Sequence, residues 1–232
     1  MSNDRLPGFS PTQGDVALPP FPKHETNRDF EAWAKRATEK EFAKHELHVV
    51  RQDGLYRHLR CNEPGTYMYG FDIVTWPGYL TICGDIGSYT FARIDDMFAF
   101  FREGAKHWRI NPGYWGEKLQ GRVRGRTLGM EYSRDEYVQH VVEWFNDQAE
   151  ELSDDEAHSL RRSVLDDLLD EWDGGWEHDE HHAHELLRNF KHGDISISDS
   201  WEWNLQRYDS SFLRCCWAIV WAIKAYDGGE ND

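Results

Sequence analysis

The chain has 232 residues, with 26 Lys and Arg against 42 Asp and Glu, and a formal net charge of -16. Apolar residues make up 39% and aromatics 14%, enough for a sizeable core, which excludes a wholly disordered chain. The excess of acids disfavours binding to DNA or anionic membranes by charge alone, and the longest apolar run, the nine residues Cys215–Ile223, is too short to span a bilayer.

Residues 1–25 are polar and rich in Pro and Gly, and read as an extended or disordered arm. They contain no apolar stretch of the secretory kind, so a soluble, cytoplasmic protein is expected. Asn27 is placed to cap a helix running to about Lys44, with Phe30, Trp33, Ala34, Ala37 and Phe42 as its apolar positions. A β region follows. Leu47–Arg51 and Leu55–Cys61 flank the turn Asp53-Gly54. Tyr67–Thr75 and Tyr79–Cys83 flank Trp76-Pro77-Gly78. Ser88–Arg93 is a fifth strand after Gly84–Gly87. The short connections predict an antiparallel meander. Alternation of Tyr67, Tyr69, Phe71 and Ile73 with Met68, Gly70, Asp72 and Val74 predicts an aromatic face packed on a helix.

From Asp95 the period becomes helical, with Met97, Phe98, Phe100 and Phe101 as a core stripe. A short helix is predicted over Tyr114–Gln120, then a basic, Gly-rich loop over Gly121–Gly129. Two long helices open on capping boxes, Ser133 with Glu136 and Ser153 with Glu156. Tyr137, Val138, Val141, Val142, Trp144 and Phe145 lie on the first. Leu160, Val164, Leu165, Leu168, Leu169 and Trp172 lie on the second. Past Gly174-Gly175, helices are predicted over Trp176–Phe190, Ser200–Tyr208 and Phe212–Tyr226. The fold class is α+β: an N-terminal antiparallel β-meander packed on helices, followed by a mainly α-helical C-terminal half. Three regions are expected: the arm (1–25), an α+β region (26–130) and an acidic helical region (131–232) packed on it as one compact unit.

Charge is unevenly placed along this plan. Between Glu143 and Glu185 there are sixteen acids and two bases, whereas Arg102 to Arg126 carries seven bases and two acids. On the acidic helices, Asp154, Asp155, Asp166, Asp167, Asp170 and Glu171 offer closely spaced carboxylates. Such a row is either a solvated helix face or an imitation of the phosphate repeat that suits a basic partner. In the basic segment, Arg122, Arg124 and Arg126 near Trp115 have the make-up of a single-stranded nucleic-acid grip, or of a counter-charge for the acidic half.

The run Glu177 to Glu185 holds four histidines. His178 and His182 stand one helical turn apart, and Glu185 could complete a zinc site, with His192 or Asp194 as further donors. The metalloprotease pattern fails, because Asp179 stands where H-E-x-x-H needs Glu. The other reading is a solvated helix whose histidines tune charge with pH. Cys61, Cys83, Cys215 and Cys216 form no C-x-x-C pair and lie in apolar segments, which favours packing over a disulfide framework, zinc knuckle or catalytic thiol. No phosphate-binding loop or nucleophile elbow is present.

One stretch carries a resemblance. It runs through Phe71-Asp72-Ile73-Val74-Thr75-Trp76-Pro77-Gly78-Tyr79 and Cys83-Gly84-Asp85-Ile86-Gly87, then Asp96-Met97-Phe98-Ala99-Phe100-Phe101 and Arg109-Ile110-Asn111-Pro112-Gly113-Tyr114-Trp115. Over residues 67–119 the chain resembles a family of uncharacterised accessory proteins of bacteriophages and prophages. The resemblance brings no fold, activity or site residues. It implies a phage-associated setting in the cytoplasm of a bacterial host, where small acidic accessory proteins often resemble binders of host proteins, including inhibitors of immune nucleases.

The resulting expectation is a non-enzymatic protein that binds and inhibits a host defence or nucleic-acid-processing complex through a basic surface on that partner. It involves no membrane, no cofactor and no direct nucleic-acid contact. The alternatives are a zinc-binding domain or metal-dependent enzyme at the histidine cluster, and a single-stranded nucleic-acid binder at the basic segment.

Overall fold

The computed structural model describes residues 18, 20–121, 128–169 and 180–229. In chain order the elements begin with helix α1 (Asn27–Glu41) and strands β1 (Glu46–Asp53), β2 (Tyr56–Asn62), β3 (Phe71–Trp76), β4 (Tyr79–Gly84) and β5 (Gly87–Ala92). Helices α2 (Met97–His107) and α3 (Pro112–Gly116), strand β6 (Met130–Tyr132), and helices α4 (Arg134–Ala149) and α5 (Asp154–Val164) follow. Then come a π-helical turn (Leu165–Leu169), helix α6 (Glu180–Asn189), and strands β7 (Lys191–His192) and β8 (Ile195–Ser196). A 3-10 turn (Ser200–Glu202), strand β9 (Gln206–Tyr208) and helix α7 (Ser210–Gly229) complete the chain. The fold is α+β, with the predicted five-stranded antiparallel meander and a mainly helical second half. Two compact units are formed: the described residues of 24–137 and 201–232, and those of 1–23 and 138–200.

In the first unit the strands lie in the order β1-β2-β3-β4-β5. Turn chemistry sets the register. Trp76 pairs with Tyr79 across Pro77-Gly78, where proline presets the first turn residue and Gly78, at φ 87°, takes the left-handed second one. One row across the sheet is Leu59, Ile73 and Ile82, and the next is Cys61 and Phe71. All five are fully buried. Onto this face pack Met97, Phe98 and Phe101 of α2 and Phe212, Cys215, Cys216, Ile219, Val220 and Ile223 of α7. Each large apolar side chain so buried contributes about 1.5–3 kcal/mol.

The helices are capped by short polar side chains. Thr26, rather than Asn27, caps α1, its Oγ1 accepting from the Asp29 amide at 3.2 Å. Asp209 Oδ1 accepts from the amides of Ser211 and Phe212, and its Oδ2 accepts from the Tyr89 hydroxyl at 3.0 Å.

Three expectations are corrected here. The strand predicted from Tyr67 starts at Phe71, because Tyr69 sits at φ 57° and the Gly70 amide turns back to the Tyr67 carbonyl. The helix predicted over Tyr114–Gln120 is instead α3, capped by Asn111 with Pro112 at its start. Residues 118–120 leave it to bond the β5 edge, the Ala92 amide donating to the Lys118 carbonyl and the Gln120 amide to the Thr90 carbonyl. The helix predicted over Ser200–Tyr208 is a single 3-10 turn followed by β9. Asn204 Oδ1 captures the Gln206 amide, and Gln206–Tyr208 pairs with Met130–Tyr132.

In the second unit Val141, Phe145, Leu160, Val164, Leu165, Leu168, Leu169, Ala183, Leu187 and Phe190 are buried. The capping box at Ser153 is present, with Glu156 Oε2 accepting from the Ser153 amide at 3.0 Å and its hydroxyl at 2.6 Å. The π turn winds its residues more widely than an α-helix does, which gathers Leu165, Leu168 and Leu169 inward and leaves Asp166 and Asp167 exposed. Phe21 packs edge-on against Phe145 at 5.1 Å and lies under the Arg161 guanidinium. Residues 1–17 and 19, and the Trp176–Asp179 start of the third predicted helix, lie outside the described residues.

Candidate functional site

The acidic candidates fall at two places on one helical element. Asp154 and Asp155 are exposed in the first turn of α5, where the helix dipole favours carboxylates. Asp166 and Asp167 are exposed in the π turn. Among the described residues none of the four forms an ion pair. Glu156 differs: the hydroxyl and amide of Ser153 hold its carboxyl below the usual range, so it serves the cap. Asp170 and Glu171 lie outside the described residues.

Three of the four described cations of the basic segment pair within their own unit, while Arg109 is exposed and makes no ion pair among the described residues. Arg102 makes two 2.9 Å contacts to Asp227, Lys106 faces Glu103 at 3.9 Å, and Lys118 pairs with Glu117 at 2.8 Å while lying over the Tyr114 ring. Trp115, the intended stacking platform, is 5% exposed and meets Phe101 edge-on at 4.8 Å. It is a core residue, not an exposed platform for stacking bases. Arg122, Arg124 and Arg126 lie outside the described residues.

Of the histidine cluster, His178 lies outside the described residues, His182 is half-buried on α6, and Glu185 is exposed. The further donor His192 is engaged, its Nδ1 standing 2.8 Å from Ser163 Oγ. Among the described residues no group of three His, Cys, Asp or Glu side chains is placed to hold a metal. The cysteines are free thiols. Burial pushes those of Cys61, Cys215 and Cys216 well above the ordinary thiol range. Burial and the Asp72 carboxylate raise Cys83. None has the thiolate character of a nucleophile.

No protein-family model matches this chain, and no curated protein or solved structure is detectably similar to it.

A feature of the first unit went unnoticed in the sequence. An open groove of about 960 Å³ runs between α1 and the 63–69 loop, lined by Trp33, Arg36, Lys40, Glu41, Lys44 and Tyr69 among others. Its signal was present as Arg36, Lys40 and Lys44, cations four residues apart in a chain dominated by acids. Periodicity could place them on one helix face but not show what faced them. The opposite wall is held rigidly. The Tyr69 amide donates to Asp85 Oδ2 at 2.8 Å, His45 Nε2 lies 3.2 Å from the Tyr69 carbonyl, and Met68 N–H donates to Thr66 Oγ1 at 3.1 Å.

Proposed function

We propose that the protein is a non-enzymatic interaction protein whose acidic helical element docks on the basic surface of a nucleic-acid-processing or defence partner, with its carboxylates standing where phosphates would. One observation carries this reading: Asp154, Asp155, Asp166 and Asp167 are exposed and have no ion pair among the described residues. Carboxylates held on a capped helix are already ordered, so a cationic partner gains attraction and encounter rate without the cost of ordering them. The phage-associated setting implied by residues 67–119 makes a host complex the natural target.

The test compares the protein with the D154N/D155N/D166N/D167N variant, each immobilised and exposed to nuclease-treated lysate of a bacterial host. Basic nucleic-acid-binding proteins should be retained at low salt, released by salt, displaced by added duplex DNA, and lost with the variant. Capture that is unchanged by the four substitutions, or absence of any basic protein from the captured set, overturns the reading.

A further inference from the structure

The groove of the first unit is cationic, against the trend of the chain. Arg36 and Lys40 stand one helical turn apart on α1, about 6 Å along its axis, and Lys44 follows at the same interval, just past the helix end. Arg36 and Lys40 are exposed and make no ion pair among the described residues. Lys44 reaches Glu63 at 3.3 Å with its side chain 75% exposed, a pairing that contributes little and yields to a better-placed anion. The other acid in the lining, Glu41, is already taken by Arg214 at 3.2 Å. The groove therefore presents cations in a row and calls for negative charge.

The facing loop is ordered, and it holds an apolar side chain in the open. Asn62 Nδ2 donates to the carbonyls of Glu63 and Thr66 at 2.9 and 3.1 Å, and the Gly70 amide donates to the Tyr67 carbonyl at 2.8 Å. Tyr69 adopts φ 57°, a left-handed conformation that is unfavourable for its side chain and is kept by the Asp85 and His45 contacts. This framework leaves Met68 63% exposed in the lining, together with Trp33 of α1 at 37%. A methionine held out by an ordered loop is an adaptable apolar contact whose backbone needs no further ordering. Trp33 offers no open ring face. Phe30 stacks on it at 5.3 Å and the Arg214 guanidinium lies over it at 5.5 Å, so its edge is what a ligand meets.

A row of cations one turn apart beside exposed aliphatic and ring-edge surface matches a ligand with two stripes, one of carboxylates and one of apolar side chains. We infer that this groove docks an acidic amphipathic helix of a partner protein. Carboxylates at i and i+4 of that helix rise by the same 6 Å or so as Arg36 and Lys40 and meet them, and a third takes Lys44 from Glu63. Apolar side chains of the neighbouring stripe rest on Met68 and the Trp33 edge, in the manner of helix-in-groove recognition. A single-stranded nucleic acid would match the cations but not the rest, because base stacking needs an open ring face. The long-range field does not forbid an acidic ligand here, since acids and bases balance in the chain outside residues 134–203. This surface draws a partner of opposite sign to the one proposed for the acidic helices, and does not rest on that reading.

The experiment is calorimetric titration of the full chain at low salt with synthetic helical peptides built on alanine and glutamine. The first carries Glu at i, i+4 and i+8 and Leu at i+3 and i+7. It should bind saturably at one site. Peptides with Gln in place of Glu, or Ser in place of Leu, should each bind at least tenfold more weakly. The R36E/K40E variant changes two exposed side chains and should melt like the parent, lose the Glu peptide at least tenfold, and gain binding of a peptide with Lys in place of Glu. Met68→Ser, also at an exposed position, should weaken the Glu peptide while leaving the melt unchanged. The D154N/D155N/D166N/D167N variant should bind the Glu peptide like the parent, which separates this inference from the proposed function. Absence of saturable binding by the Glu peptide, equal binding of its Gln counterpart, full binding by R36E/K40E, or tighter binding of a single-stranded oligothymidylate than of the peptide overturns it.

Discussion

Asp96 shows how much one side chain carries in this protein. Its Oδ1 caps α2 by accepting from the Phe98 amide at 3.0 Å, and its two oxygens take the Arg57 guanidinium at 2.9 and 3.4 Å. Arg57 in turn lies 4.6 Å over the Phe98 ring. Burial alone would raise the Asp96 carboxyl, but Arg57 and the Phe98 amide outweigh it and hold the group below the usual carboxylate range. Asp72 behaves likewise: burial raises it, and the hydrogen bonds and charges of Arg60 and His58 bring it below normal. A carboxyl depressed on folding adds stability that is present above its unfolded pKa, about 3.9, and fades as pH falls through the folded value. Stability should therefore decline on acidification below about pH 4. Asp96→Asn should cost about 1.5–3 kcal/mol at pH 7 and flatten that decline, as read from urea midpoints at pH 7 and pH 3. The thiols offer a second residue-scale check. Ellman's reagent should label native protein slowly and only at Cys83, and reach Cys61, Cys215 and Cys216 only on unfolding.

At the scale of elements, the meander was legible because its turns are written in residues with few conformational alternatives. Pro77-Gly78 and Gly54 allow little else, and the alternation of Phe71, Ile73 and Thr75 then sets which face is buried. The same alternation extends back to Tyr69 and Tyr67, so periodicity alone overran the strand. What stops it is long-range, the Asp85 carboxylate taking the Tyr69 amide sixteen residues away. The helix predicted over Ser200–Tyr208 failed for a similar reason, since the β6 partner of β9 lies more than seventy residues upstream. The acidic candidates on α5 were legible from composition and the Ser153 capping box. The groove was not, because its two walls come from separate elements. Packing at the α2 level is equally specific. A Cβ on Gly104 would stand 2.7 Å from the Arg109 carbonyl oxygen and 3.0 Å from the Trp115 ring. Gly104→Ala should thus destabilise by about 1–3 kcal/mol through overpacking, despite the better helix propensity of alanine, and a thermal melt decides the sign.

On the scale of the whole molecule, residues 138–200 are an insertion between two parts of the sheet unit. The chain leaves the sheet unit after β6 and re-enters it before β9, and those two strands pair, with the Ser133 amide donating to the Leu205 carbonyl at 2.8 Å. The point of departure and the point of return are therefore neighbours. Residues 134–203 carry 21 acids and five bases, so the remainder of the chain is electrically neutral. A variant with 134–203 replaced by a short Gly-containing turn should unfold cooperatively, with pull-down of basic proteins abolished. Failure of this variant to show cooperative unfolding would mean that the sheet unit depends on the insertion.

The position of α7 gives the molecule a schedule. It covers the sheet from the far end of the chain, so strands complete at Ala92 must wait for about 120 further residues before Phe212 and its neighbours leave the ribosome. At synthesis rates of about 5–20 residues per second that is an interval of roughly 6–24 s. Throughout it Ile73, Ile82 and Phe91 have no C-terminal helix to cover them, and the residues made meanwhile carry a net negative charge and include the most acidic stretch of the chain, Glu143–Glu185. Charge of one sign opposes association between neighbouring nascent chains.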